Sequence, residues 1–164
     1  MIFCVGYERR EVEVRLGSGG TGCAIFVAII GTVAVSWSKL SAAVPIHFNA
    51  AGDPDRFGPR SGLLIIPVAA TLLYVVLTAA SANPRLVNIP LTLDRDAPEV
   101  QALLLRMVIV LKTVLLVNLL YITWAVLRVA GRGGGLGKLF LPMSTAAVLL
   151  VLSYYVVKLR RYQK

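Results

Sequence analysis

The sequence predicts an all-α membrane bundle of about four transmembrane helices with both termini cytoplasmic. Three observations predict it. Of the 164 residues, 57% are hydrophobic and 15% charged, against about 45–50% and about 25% in soluble domains. That leaves too little polar surface for a soluble globule and too much hydrophobicity for disorder. The apolar residues gather in four long runs, and the charges fall mostly between them. The Lys and Arg residues are also unevenly shared between the two sets of connections. At this length one domain is expected.

Residues 1–21 read as a polar N-terminal segment, 22–158 as the membrane domain and 159–164 as a basic tail. Spans are placed at about 22–40, 62–82, 104–129 and 139–158. No charge interrupts Leu16–Ser38, Ser61–Pro84 or Leu139–Val157. Leu103–Ala130 carries only Arg106, Lys112 and Arg128. About 20 apolar residues cross the hydrocarbon as a helix. Backbone groups in lipid must be satisfied within the segment, which selects helices. The runs lack the alternation of a membrane β-barrel. Pro67 and Pro142 fall in the first turns of their spans, where proline costs little.

The connections follow. Residues 41–61 form a first loop with specific turns. Residues 81–102 form a second, broken by Pro84, Pro90 and Pro98. The third, Gly131–Lys138, is so glycine-rich that it reads as a flexible turn joining two antiparallel spans. The two halves do not match, so an inverted-repeat transporter has no support.

Orientation rests on basic residues near the spans. Arg9, Arg10, Arg15, Arg85, Arg95, Arg106, Lys158, Arg160, Arg161 and Lys164 would share one side. Lys39, Arg56, Arg60, Arg128, Arg132 and Lys138 would share the other. The larger set places the termini in the cytoplasm and the first and third loops outside. Trp37, Phe57, Trp124, Phe140, Tyr154, Tyr155 and Tyr162 fall near span edges, as interface aromatics do. The net charge of +9 is thereby explained by membrane anchoring. No nucleic-acid partner is expected, since no basic helix face or RNA-binding aromatic motif is present. Cys4 and Cys23 read as free thiols, because two cysteines make no framework.

Several motifs invite chemistry. Gly17, Gly19 and Gly22 fit G-x-G-x-x-G, but a dinucleotide site needs a βαβ unit and an acid about 20 residues on. Here an apolar run follows, so no cofactor is expected and the glycines lead into the first span. The first loop is richer: Val44-Pro45-Ile46-His47-Phe48-Asn49-Ala50-Ala51-Gly52-Asp53-Pro54-Asp55-Arg56-Phe57-Gly58-Pro59-Arg60. Its prolines and glycines set turns. Asp53-x-Asp55 begins like a calcium loop, yet Phe57 and Leu64 occupy later ligand positions. One His without nearby Cys is a poor zinc site, and no metal is expected. His47 beside an Asp could act as a base, but no nucleophile stands at a motif spacing. Two readings stay open for the loop. In one, Asn49, Asp53 and Asp55 bond turn backbones while Arg56 and Arg60 pair with Asp. In the other, the loop is a recognition surface for an external ligand.

Lys112 is the third feature. Fifteen uncharged residues separate it from Arg128, roughly 22 Å of helix, so it starts inside the membrane. Either it snorkels beside Arg106 or it faces the bundle, with Thr113 and Asn118 as intramembrane polar neighbours. The phase that it shares with Leu116 and Leu119 reads as lipid-facing. The tail Lys158–Lys164 reads as a stop-transfer anchor, with docking of a cytoplasmic protein as its other reading.

The first loop resembles the signature of SdpI-type bacterial membrane proteins, P-x-H-aromatic-N-x-x-G-x-x-D-x-aromatic-G. Pro45, His47, Phe48, Asn49, Gly52, Asp55, Phe57 and Gly58 match it, with Arg60 at the usual basic position, and the likeness runs over roughly residues 25 to 80. The resemblance implies a domain of unknown function whose loop joins its first two helices. Relatives of that type protect bacteria from a secreted peptide toxin and sequester a repressor at the membrane. The expected function is therefore a non-enzymatic immunity or sensing protein of the bacterial cytoplasmic membrane. Its loop residues Pro45, His47, Phe48, Asn49, Gly52, Asp55, Arg56, Gly58 and Arg60 would recognise an external peptide or envelope ligand. The alternatives are a small transporter or channel subunit working as a homo-oligomer, with Thr71, Lys112, Thr113 and Asn118 as its polar residues, and a membrane enzyme using His47 and Asp55.

Overall fold

The computed structural model describes residues 20–83 and 86–163. Arg9, Arg10, Arg15, Cys4, Gly17, Gly19, Pro84, Arg85 and Lys164 lie outside them. Among the described residues, four helices are long and apolar enough to cross a membrane, which makes the chain a multi-pass membrane protein in a lipid bilayer. Helix α1 is Gly20–Lys39, its last turn Trp37–Lys39 wound as a 3-10 helix. Strands β1 (Ala43–Phe48) and β2 (Pro54–Pro59) follow. A 3-10 turn, Arg60–Leu64, leads into α2 (Ile65–Ala82). Then come α3 (Pro98–Arg132) and α4 (Phe140–Arg160).

Two expectations need correction. The bundle is mostly helical rather than all-α, because the first loop pairs as an antiparallel hairpin, Ala43 opposite Pro59 and Val44 opposite Gly58. The β-branched and aromatic residues of β1 suit a pleated surface, and in a two-stranded sheet both strands are edges, where proline is tolerated. The register shifts on both sides of His47. Pro98 does not break the second loop. It occupies the first turn of α3, where its missing N–H costs nothing, and the helix therefore starts before the expected 104.

With 35 residues, α3 is about 52 Å long, well beyond the roughly 30 Å hydrocarbon layer. It is the mast on which everything else packs. On its middle and upper part, Leu116 and Val126 join Ile29 and Val33 of α1, Ile66 and Ala70 of α2, and Val44 of β1 in one core. At its other end Val100, Leu104 and Met107 pack with Leu159 of α4, under Val87, Ile89, Leu91 and Leu93 of the second loop. Leu93 also bridges to Gln163, so the tail's end lies on that loop. Helix α4 packs on α3 and is the least buried of the four spans.

Candidate functional site

A two-stranded hairpin is marginal alone, and this one is held from two sides. From below, Val44 and Pro45 are buried and Phe48 packs against the bundle core. From the side, the third loop presses on its turn. Leu136 donates its N–H to the Gly52 carbonyl at 2.7 Å. Gly52 has φ +81°, and a Cβ there would stand 2.7 Å from the Gly137 carbonyl oxygen. A Cβ on Gly135 would collide in turn with the Gly52 carbonyl. Leu136 is itself buried, and the Tyr121 hydroxyl donates to its carbonyl at 2.7 Å. Tyr121 then stacks on Phe140, ring centroids 4.7 Å apart. The glycine-rich third loop is thus a docked support rather than the flexible turn expected. Its glycines permit backbone-to-backbone approach, and Leu136 is its anchor. That single apolar residue among glycines was the available signal.

The turn is built by Asn49. Its side-chain oxygen accepts from the N–H groups of Ala51 and Asp53, at 2.9 and 3.0 Å. Its backbone N–H donates to the Asp53 carbonyl at 2.9 Å and its carbonyl accepts from Gly52. Gly58 lies flat because Ile46 covers it; a Cβ there would be 2.9 Å from the Ile46 side chain. The hairpin residues therefore divide. Val44, Pro45, Phe48, Asn49, Gly52 and Gly58 make the platform. His47, Asp55, Arg56 and Phe57 are displayed on it.

Among the displayed groups, His47 Nδ1 and Asp55 Oδ1 stand 2.6 Å apart, with side chains 57% and 43% exposed. Arg56 pairs in register with His47 across the strands and is exposed. Phe57 is 55% exposed. The expected Arg–Asp pairings are not what forms. Asp55 is bonded instead by His47, where the strand register shifts, and Arg60 sits over the Trp37 ring at 5.7 Å, at the foot of the hairpin. Among the described residues no group of three or more His, Cys, Asp or Glu stands together.

Lys112 is placed far from this platform. It is 3% exposed, so it faces the bundle and does not snorkel. The stripe Leu105, Met107, Val108, Ile109, Lys112 and Leu116 is buried throughout. The face shared with Leu116 is thus the inner one, and the lipid-facing expectation for it is overturned. Lys112 Nζ donates to the Thr78 hydroxyl at 3.4 Å and lies 5.1 Å from the Tyr74 ring centroid. Gly22 makes room for the stem, since a Cβ there would be 3.2 Å from Lys112 Cε. Thr78 stands about a turn from the end of α2, and Lys112 lies near the middle of α3. Thr113 and Asn118 lie elsewhere, lining a groove between α3 and α4, and Thr71 bonds the Pro67 carbonyl on α2. The four polar residues do not form one path within a chain. Cys23 is a free thiol.

A family model, DUF1648, matches residues 24–71. It is described as a domain of unknown function. The match runs from α1 through the hairpin into α2, so it includes every displayed and platform residue of the first loop and stops before α3. An uncharacterized protein of Archaeoglobus fulgidus is 36% identical over 64 residues, covering 34% of this chain and 35% of that protein. The chain thus matches about a third of that relative's length. No solved structure matches the chain.

Proposed function

We propose that the protein is a non-enzymatic, SdpI-type immunity or sensing protein of the bacterial cytoplasmic membrane, with both termini inside. The hairpin recognises an external peptide or envelope component. One observation carries this reading: His47, Asp55, Arg56 and Phe57 stand exposed on a platform whose other residues are consumed in holding its shape. Preorganised polar groups beside an exposed aromatic ring are what a binding surface needs. A catalytic pair works best in a water-excluded cleft, and His47 and Asp55 lie open, which favours binding over catalysis.

The test is protection of cells from a secreted peptide toxin of the kind that SdpI-type proteins counter. His47→Ala and Asp55→Ala are expected to abolish protection while membrane levels and thermal stability stay near those of the parent. Protection unchanged in both variants would remove the recognition role.

A further inference from the structure

A groove of about 700 Å³ runs between α3 and α4 on the hairpin side of the bundle. Its walls are mainly apolar, with Val114, Val117, Met143 and Ala147 among them. Five polar side chains interrupt them, Thr113, Asn118, Tyr121, Lys138 and Ser144. Lys138 stands at the loop end, Asn118 and Ser144 further in. No acidic side chain lines the groove. Among the described residues, no hydrogen bond reaches the Asn118 amide or the Ser144 hydroxyl. Thr113, by contrast, satisfies itself on the Ile109 carbonyl. An unpaired amide facing hydrocarbon costs several kcal/mol, so the groove is built for an occupant that supplies acceptors.

The heights of these groups identify its chemistry. Tyr121, stacked on Phe140 where α4 begins, marks the interface as such aromatics do. Asn118 lies three residues further along α3, about 4.5 Å deeper. A phosphate at Lys138 would bring ester carbonyls to the level of Asn118 and Ser144. An acyl chain would then continue along Val114 and Ala147. We propose that this groove holds an anionic phospholipid from the leaflet on the hairpin side, its phosphate at Lys138 and its ester carbonyls at Asn118 and Ser144. The site stands independently of ligand recognition by the hairpin. It has a consequence for the hairpin all the same, because Leu136 and Gly137 line the groove and also bear on Gly52.

The experiment is native mass spectrometry of the full chain released from detergent, titrated with phosphatidylglycerol or phosphatidylcholine. Phosphatidylglycerol is expected to be retained the more strongly. Lys138→Gln is expected to weaken its retention about fivefold, the effect of one basic residue at a membrane surface, and to weaken phosphatidylcholine less, because the choline cation already offsets that lipid's phosphate. Asn118→Leu is expected to weaken both lipids. Should Asn118→Leu fail to fold, Met143→Trp, on the exposed face of α4, fills the groove and is expected to exclude both. Equal retention of the two lipids, or retention unaffected by the variants, would overturn the proposal. So would displacement of phosphatidylglycerol by glycerol phosphate, which would make the groove a site for a soluble anion.

Discussion

The two ends of the bundle are closed by different means. At the hairpin end, backbone meets backbone: Gly52 rests on Gly135 and Gly137, with the Leu136 N–H bonded to the Gly52 carbonyl. At the opposite end, side chains meet side chains: Val100, Leu104, Met107 and Leu159 pack under the aliphatic second loop. Aliphatic contacts can relax around a change of shape, because rotamers adjust. Glycine contacts cannot, because a carbonyl has no rotamer. The end that carries the exposed polar groups is thus the rigid one.

The largest expected effect comes from adding one methyl group at that end. Gly52→Ala must place a Cβ against the Gly137 carbonyl and hold an L-residue at φ +81°. The backbone term alone costs about 1–3 kcal/mol, and the collision adds to it. We expect a fall of many degrees in the detergent melting temperature, with release of the third loop seen as faster hydrogen exchange at Leu136. A melt unchanged within error would mean that the two loops are not docked as described.

Much of this was legible in the sequence, and the reasons for success and failure differ by region. The four spans were readable because length and freedom from charge are local properties. The hairpin was foreseen only as a structured loop, because its pairing depends on support from α3 and from residues some 80 positions later. The glycine run misled for the same reason: its composition signals freedom, whereas its conformation is fixed by the partner it meets. Lys112 was misread in phase, since a 3.6-residue period says which residues share a face but not which way that face points. Asn49 is legible both as a turn-former and as a recognition residue, and the structure shows the first role, its side-chain oxygen bonded to the turn backbone.

The division between platform and display predicts a smaller effect at Asn49. Asn49→Ala removes the acceptor for two backbone N–H groups, and a typical hydrogen bond contributes about 0.5–1.5 kcal/mol net. A loss of about 1–2 kcal/mol is expected. Asn49→Asp retains the acceptor and is expected to restore most of the stability. His47→Ala, by contrast, breaks an exposed pair worth about 0–1 kcal/mol. Equal destabilisation by the His47 and Asn49 variants, measured by chemical denaturation, would erase the distinction between the two groups of residues.

The smallest effect is expected inside the bundle, at its most conspicuous residue. An ionisable side chain within a membrane span is by default a functional candidate. Lys112 has a different account here: its ammonium has the Thr78 hydroxyl and the Tyr74 ring, and its stem fills the space that Gly22 leaves. Replacing a buried charge with an apolar residue of similar volume is often neutral or stabilising, because the desolvation cost disappears. Lys112→Met is therefore expected to leave the melting temperature unchanged or raise it slightly. It is also expected to leave the toxin protection proposed for the hairpin intact, since the hairpin platform does not touch this site. If the variant kept its stability but lost an ion flux measured in liposomes, Lys112 would be a transport residue. The function of the molecule would then lie inside the bundle rather than at the hairpin.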